Sequence, residues 1–180
     1  MTERRVIDTP VGPAAFSVAA GLLQGLRIGA RDAGHAPEAA ARPDPVDVAL
    51  ADRINAGLLA LLQGSTAERQ AADEVLRAVP IADAQLPELD RAVLAAIRAI
   101  GPGRTSTYGR IAVEVGRPDG AQAVGGALGR NPFPLVVPCH RVLAADGAIG
   151  GFSAPGGPDA KRRLLTLEGA GAFEQPRLFG

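Results

Sequence analysis

Asn131-Pro-Phe-Pro-Leu-Val-Val-Pro-Cys-His-Arg-Val142 is the stretch on which the reading of this chain turns. Leu135-Val-Val137 reads as a brief extended run, and Pro138 fixes the backbone just before Cys139, the one cysteine in 180 residues. A lone cysteine is most often a small buried hydrophobe. Here His140 and Arg141 follow at once. Nearby positive charge lowers a thiol pKa, and an imidazole within reach, directly or through one water, can take its proton. Adjacent residues on a strand face opposite ways, so Cys139 and His140 can cooperate only if the chain turns at Pro138-Cys139.

Upstream of this stretch the pattern is helical. Pro87 suits a first helical position, and Leu89, Val93, Leu94, Ile97 and Ile100 share one face before Gly101-Pro-Gly103 stops the run. Thr105 or Ser106 can cap a short helix through Val115. After the turn Gly116-Arg-Pro-Asp119, Asp119 can cap a second helix from about Gly120 to Gly129. Two short helices joined by a tight turn fit a helix-turn-helix. The mid-helix pair Gly125-Gly126 costs helix stability, roughly 1 kcal/mol per glycine against alanine. It leaves a face shaved to Ala123, Gly126 and Ala127, suited to close approach of another surface or to helix packing. Downstream, Gly147 to Gly157 is a glycine-rich loop and Asp159 to Glu168 a last helix.

The N-terminal part reads differently. Arg4–Pro10, Pro13–Ala20 and Gly21–Gly29 have the length and glycine punctuation of a β-meander. A loop from Ala30 to Pro45 follows. Asp44 or Asp47 can cap a helix whose stripe runs from Val48 through Leu62 to Gly64, and the second half of Ser65–Val79 reads as extended.

Composition narrows the class. The chain is 47% apolar and 21% charged, an ordinary globular balance. One cysteine excludes an intramolecular disulfide, and one cysteine with two histidines is too few for a closed four-ligand zinc site of those residues. No apolar run approaches the ~18 residues of a membrane helix, and the first ten residues lack a signal-peptide core, so the expected location is cytoplasmic. The net charge of zero hides an asymmetry. Residues 1–85 hold 8 basic and 11 acidic side chains, and residues 86–180 hold 11 and 8. The positive half is the one with the helix-turn-helix.

Taken together, Pro138-Cys-His-Arg-Val142, Ala121-Gln-Ala-Val-Gly-Gly-Ala127, Arg130-Asn-Pro132 and Leu164-Leu-Thr-Leu-Glu-Gly169 resemble the O6-alkylguanine-DNA alkyltransferases, or methylated-DNA–protein-cysteine methyltransferases. The resemblance is strong from about Leu89 to Ala170 and weaker at Thr9-Pro-Val-Gly12 and Gly25-Leu-Arg-Ile28. It implies an α/β N-terminal domain with a small ribonuclease-H-like sheet, residues 1–85. A mainly helical, winged-helix-type domain with a helix-turn-helix, residues 86–180, would carry the site. It implies Cys139 as alkyl acceptor, His140 as its base through a water, Glu168 orienting that imidazole, Asn131 bracing the turn and Tyr108 bonding the guanine. Val142, Ser153 and Lys161 would contact the substrate. Gln122, Ala123, Gly125, Gly126, Ala127, Arg130 and Arg141 would face DNA. The resemblance implies no metal or other cofactor, a monomer without an obligate protein or membrane partner, and alkylated duplex DNA read from the minor groove, with the protein at the nucleoid when bound. It also implies one irreversible transfer per chain, with the target base flipped out of the duplex.

The sequence departs from the family at Gln122, where an arginine is usual, at the longer Ala154-Pro-Gly-Gly-Pro158 loop, and at Phe152 and Leu89. Gln122 lacks the charge and planar stacking surface of arginine. It keeps open a damage-binding sensor or a relative repurposed for a non-DNA substrate. A cysteine hydrolase using Cys139, His140 and Glu168 shows no oxyanion-hole signature.

Overall fold

The computed structural model describes residues 2–29 and 44–170. Of the loop expected from Ala30 to Pro45, only its last two residues fall among these. His35 lies outside them.

The meander forms as its glycines suggest. β1 (Thr2–Thr9), β2 (Gly12–Ala19) and β3 (Leu22–Ile28) make a three-stranded antiparallel sheet in chain order. Alternation places Ala14, Phe16 and Val18 of β2 on the buried face, with Phe16 opposite Leu26. Against this face lies α1 (Pro45–Gln63), capped by the Asp44 side chain, which accepts from the Val46 amide at 2.8 Å.

The segment expected to be extended is instead α2 (Thr66–Arg77). Ser65 accepts from the Glu68 amide while the Glu68 carboxylate accepts from the Ser65 amide, a reciprocal capping box. Its polar composition obscured the helix, because only Ala72, Asp73 and Leu76 turn inward. Leu76 packs against α1 where Gly57 gives it room. A Cβ at Gly57 would sit 2.9 Å from a Leu76 methyl.

Next come α3 (Glu88–Arg98), β4 (Ser106–Thr107), α4 (Tyr108–Glu114), α5 (Ala121–Gly129), β5 (Val142–Leu143) and α6 (Gly157–Leu167). Three expected caps move. Pro87 is the cap residue itself, since its ψ of 148° is not helical. Thr107, rather than Thr105 or Ser106, accepts from the Arg110 amide and starts α4. Asp119 makes no cap, and α5 begins after Gly120 with no side-chain cap bond. Leu135-Val-Val137 is a turn, not an extended run. Leu135 has φ 72°, and the Val137 amide bonds back to the Phe133 carbonyl at 2.8 Å.

Helices α3, α4 and α5 pack together around Val93, Ile97, Ile111, Ala112 and Val124. One apolar core runs from this group to the sheet and α1. The free edge of β3 is covered by the segment that follows α2 and by the segment that precedes Cys139. The Leu26 amide bonds the Pro132 carbonyl at 2.8 Å, and Leu23 exchanges bonds with Pro80 and Ala82. Thus the segment leading to Cys139 is docked on the N-terminal sheet. Among the described residues, no helix is long and apolar enough to cross a membrane.

Leu76 is 2% exposed and anchors α2 to α1. Leu76→Ala is expected to lower stability by about 2–5 kcal/mol, read by equilibrium urea unfolding.

Candidate active site

The turn required at Pro138-Cys139 is present. Cys139–Arg141 forms one turn of 3-10 helix, and the Arg141 amide bonds the Pro138 carbonyl at 3.0 Å. Asn131 braces it. Its Nδ2 donates to the Val137 carbonyl and its Oδ1 accepts from the Phe133 amide, each at 2.9 Å. Parallel pairing of Ser106 with Val142 and Thr107 with Leu143 sets Tyr108, the first residue of α4, beside this turn.

Cys139 is 6% exposed. It opens onto a cavity of about 330 Å³ lined also by Tyr108, Gly125, Leu128, Phe152 and Ser153, a volume usual for small-molecule sites. A second cavity of about 350 Å³ shares Cys139, Phe152 and Ser153 with the first. Its walls include Ile28, Pro134 and Pro155. Gly150 closes over Tyr108 in a left-handed conformation, φ 66°, where a Cβ would come within 3.3 Å of the tyrosine hydroxyl. Burial first, then the nearby Cys139, pushes the Tyr108 hydroxyl up in pKa.

The charges expected to activate the thiol are outweighed. Burial pushes the Cys139 thiol above its usual range, although an Asn131 hydrogen bond and the Lys161 charge pull the other way. The resting side chain is therefore a neutral thiol at neutral pH. Lys161 is itself buried. Its Nζ donates to the Val142 carbonyl at 2.6 Å and lies 5.7 Å from the Tyr108 ring centre. Burial drives its pKa down to about 8, with Cys139 opposing.

His140 is wholly buried, with its Nε2 3.0 Å from Glu168 Oε1. Burial would raise the Glu168 pKa, but His140 and Arg141 overcome it and hold it at about 2. An ionised carboxylate only accepts, so Nε2 carries a hydrogen, and Nδ1 is the position at which this imidazole can take another. Nδ1 is buried and has no hydrogen-bond partner in the structure.

Arg141 does not face outward. It is fully buried, donating from Nε and Nη2 to the two Glu168 oxygens at 2.8 Å each and from Nη1 to Asp73 Oδ1 at 2.7 Å and to the Ile100 carbonyl. The DNA-facing reading of Arg141 is thus overturned: its guanidinium is enclosed between two carboxylates. Sequence inspection missed Asp73, which lies 68 residues away. Ala127 is corrected too, being 1% exposed and part of the core. On α5 the outward residues are Ala121, Gln122, Ala123, Gly126 and Gly129, while Gly125 turns toward Tyr108. Arg130 is bound edge-on to Asp90, Nε to Oδ2 at 2.9 Å and Nη2 to Oδ1 at 2.8 Å, yet its side chain is 60% exposed. Among the described residues no cluster of His, Cys, Asp and Glu could hold a metal ion.

The family model described as 6-O-methylguanine DNA methyltransferase, DNA binding domain, matches residues 88–170. The methylated-DNA–protein-cysteine methyltransferase of Mycobacterium tuberculosis is 33% identical over 181 residues, covering 99% of each chain. That of Haemophilus influenzae is 46% identical over 78 residues, 43% of this chain and 42% of its own length. That match therefore spans less than half of the relative. The crystal structure of Mycobacterium tuberculosis O6-methylguanine methyltransferase superimposes with a TM-score of 0.67 at 33% identity, covering 94% of each chain. The Mycobacterium tuberculosis OGT in complex with DNA gives 0.66 at the same identity, covering 93% of this chain and 92% of that one. This chain belongs to the methylated-DNA–protein-cysteine methyltransferase family.

The low pKa of Glu168 has a consequence for stability. Ionised Glu168 contributes its full stabilisation above the usual carboxylate pKa of 4.5, and that contribution is lost as pH falls toward about 2. Urea unfolding from pH 7 down to pH ~2.5 should show this loss. Glu168→Gln should be less stable at neutral pH and show a shallower decline over the acid range.

Proposed function

We propose that this protein repairs DNA by moving a methyl or larger alkyl group from O6 of guanine, or O4 of thymine, to Cys139 in one irreversible step. The observation that carries this reading is the lone cysteine at the junction of two cavities, on a turn whose next residue has an unpartnered, buried imidazole nitrogen.

The chemistry follows from that arrangement. The Sγ proton passes to His140 Nδ1, directly or through one water, and Glu168 stabilises the imidazolium by accepting from Nε2. The thiolate attacks the sp3 carbon, a C–S bond forms, and the C–O bond breaks with its electron pair going to guanine O6. The Tyr108 hydroxyl, at the cavity wall, supplies a hydrogen bond to the departing base. Asn131 holds the turn in register and Ser153 lines both cavities; Val142 and Lys161, expected at the substrate, line neither, being buried with the Lys161 ammonium donating to the Val142 carbonyl. Burial keeps the thiol protonated until a substrate arrives. The product is a thioether, which water does not reopen, so each chain acts once and needs no cofactor.

In this reading the cavity with Tyr108 and Gly125 receives the base, and the one with Pro134 and Pro155 receives the alkyl group. The base must leave the duplex to reach either. Helix α5 would enter the minor groove, ~6 Å wide, with its small face of Ala123 and Gly126. Gln122 would stand in the vacated stack and Arg130 near the phosphates. The division into residues 1–85 and 86–180, the ribonuclease-H-like and winged-helix-type kinships, the monomeric state and a cytoplasmic, nucleoid-associated location belong to the same reading. The β-meander with α1, and α4–α5 beside the short β4–β5 pair, support the two kinships.

Incubation with O6-methylguanine duplex DNA followed by intact-mass and peptide analysis tests it. The expected result is a gain of one methyl group on Cys139, lost in Cys139→Ser while DNA binding persists. Binding without a mass change would indicate a sensor instead. Turnover without modification would indicate a hydrolase. Gln122→Arg is expected to speed repair of duplex substrate by restoring charge and stacking, and no gain would show that Gln122 does not limit base extrusion.

A further inference from the structure

Arg141 is buried between two carboxylates, and only one of them touches His140. Glu168 meets both the imidazole and the guanidinium. Asp73 meets the guanidinium alone, from α2 in the N-terminal half. Were Glu168 the only anion here, a full cation at Arg141 would compete with His140 for its charge. With Asp73 present, Arg141 is shared between two anions, and Glu168 keeps negative potential for an imidazolium at His140.

We propose that Asp73 is a positioning residue for the reaction at Cys139, acting through Arg141 and Glu168 to favour the proton on His140. The proposal rests on the alkyl-transfer reading above for its substrate, but not for its readout. The proton moves from Sγ to Nδ1 and nowhere else. Asp73, Glu168 and Arg141 keep their charges throughout. The effect makes the N-terminal half part of the reactive centre.

The charged groups around this relay are few. From α2 come Asp73 and Arg77, whose guanidinium binds Asp73 from Nε at 2.6 Å. The turn contributes Arg141 and Cys139. From α6 and its end come Lys161 and Glu168. From the end of α3 only the Ile100 carbonyl reaches Arg141. Arg98 of α3 is turned to the Leu76 and Val79 carbonyls. Arg77 therefore offers a second handle of opposite sign. Removing Asp73 takes a negative charge from the relay, and removing Arg77 unmasks one.

The experiment follows the rate of Cys139 alkylation against pH with two probes, O6-methylguanine duplex DNA and iodoacetamide. Asp73→Asn should react roughly ten-fold more slowly at neutral pH with both, a change equivalent to about one pKa unit. The acid limb of its profile should move to lower pH, since an added proton is less favoured without the anion. Arg77→Gln, a half-exposed position on the surface of α2, should move the limb to higher pH. Asp73→Glu should restore the natural profile. Urea unfolding and DNA binding of the same variants separate this from a loosened fold, which would lower stability without moving the limb. If Asp73→Asn does not fold, the Arg77→Gln shift decides alone. Wild-type profiles in the folded variants overturn the proposal. Shifted iodoacetamide profiles in a protein that takes no methyl group from DNA support it and instead overturn the alkyl-transfer reading.

Discussion

The buried guanidinium of Arg141 is the constraint around which the site is arranged. A charge with no exposure is tolerated only when it is paired and its donors are satisfied. Meeting that demand requires Glu168 at the end of α6, Asp73 in the middle of α2 and the Ile100 carbonyl at the end of α3 to converge on one point. Three elements far apart in sequence are thereby fixed against the 3-10 turn that carries Cys139. Removing one partner of such a cluster leaves the others uncompensated, typically at several kcal/mol. The pairing is thus weak evidence for net stability but strong evidence for a single geometry.

That geometry explains how a thiol can be both inert and ready. Burial alone makes Cys139 a poor nucleophile by raising its pKa. The adjacent imidazole is held by Glu168, and its Nδ1 has no hydrogen-bond partner, so in the proposed mechanism the base is in place before the thiolate forms. Reactive character is stored in the arrangement of the relay rather than in a permanently charged sulfur. In the proposed single transfer, this arrangement limits loss of the Cys139 thiol to stray electrophiles.

Much of this was legible in the chain because it is local. Alternation and glycine punctuation marked the meander, and apolar stripes marked α1, α3 and α6. The residues bracketing Cys139 pointed to the turn that the backbone then makes. What was not legible depends on distance or on weak local signals. Helix α2 is polar, and only the Ser65–Glu68 box announces it. Arg141 reads as a DNA-facing residue from the resemblance, and nothing near it in sequence signals that it is neutralised. Its partner Asp73 is visible only once the chain folds. Likewise, the positive neighbours of Cys139 suggested a lowered pKa, and only the burial that packing creates shows the opposite. Ala127 shares its helix with Ala123 and Gly126, yet it points into the core, as helical periodicity and α3 packing together require.

The proposed reaction uses a single acceptor, once. Its most direct test is a stoichiometric titration: a fixed amount of protein is mixed with rising amounts of O6-methylguanine DNA, and the methyl groups removed are counted at completion. The account predicts a plateau at one methyl group per chain, however large the excess of substrate. Removal that continues past one per chain, or none at any excess, would contradict it.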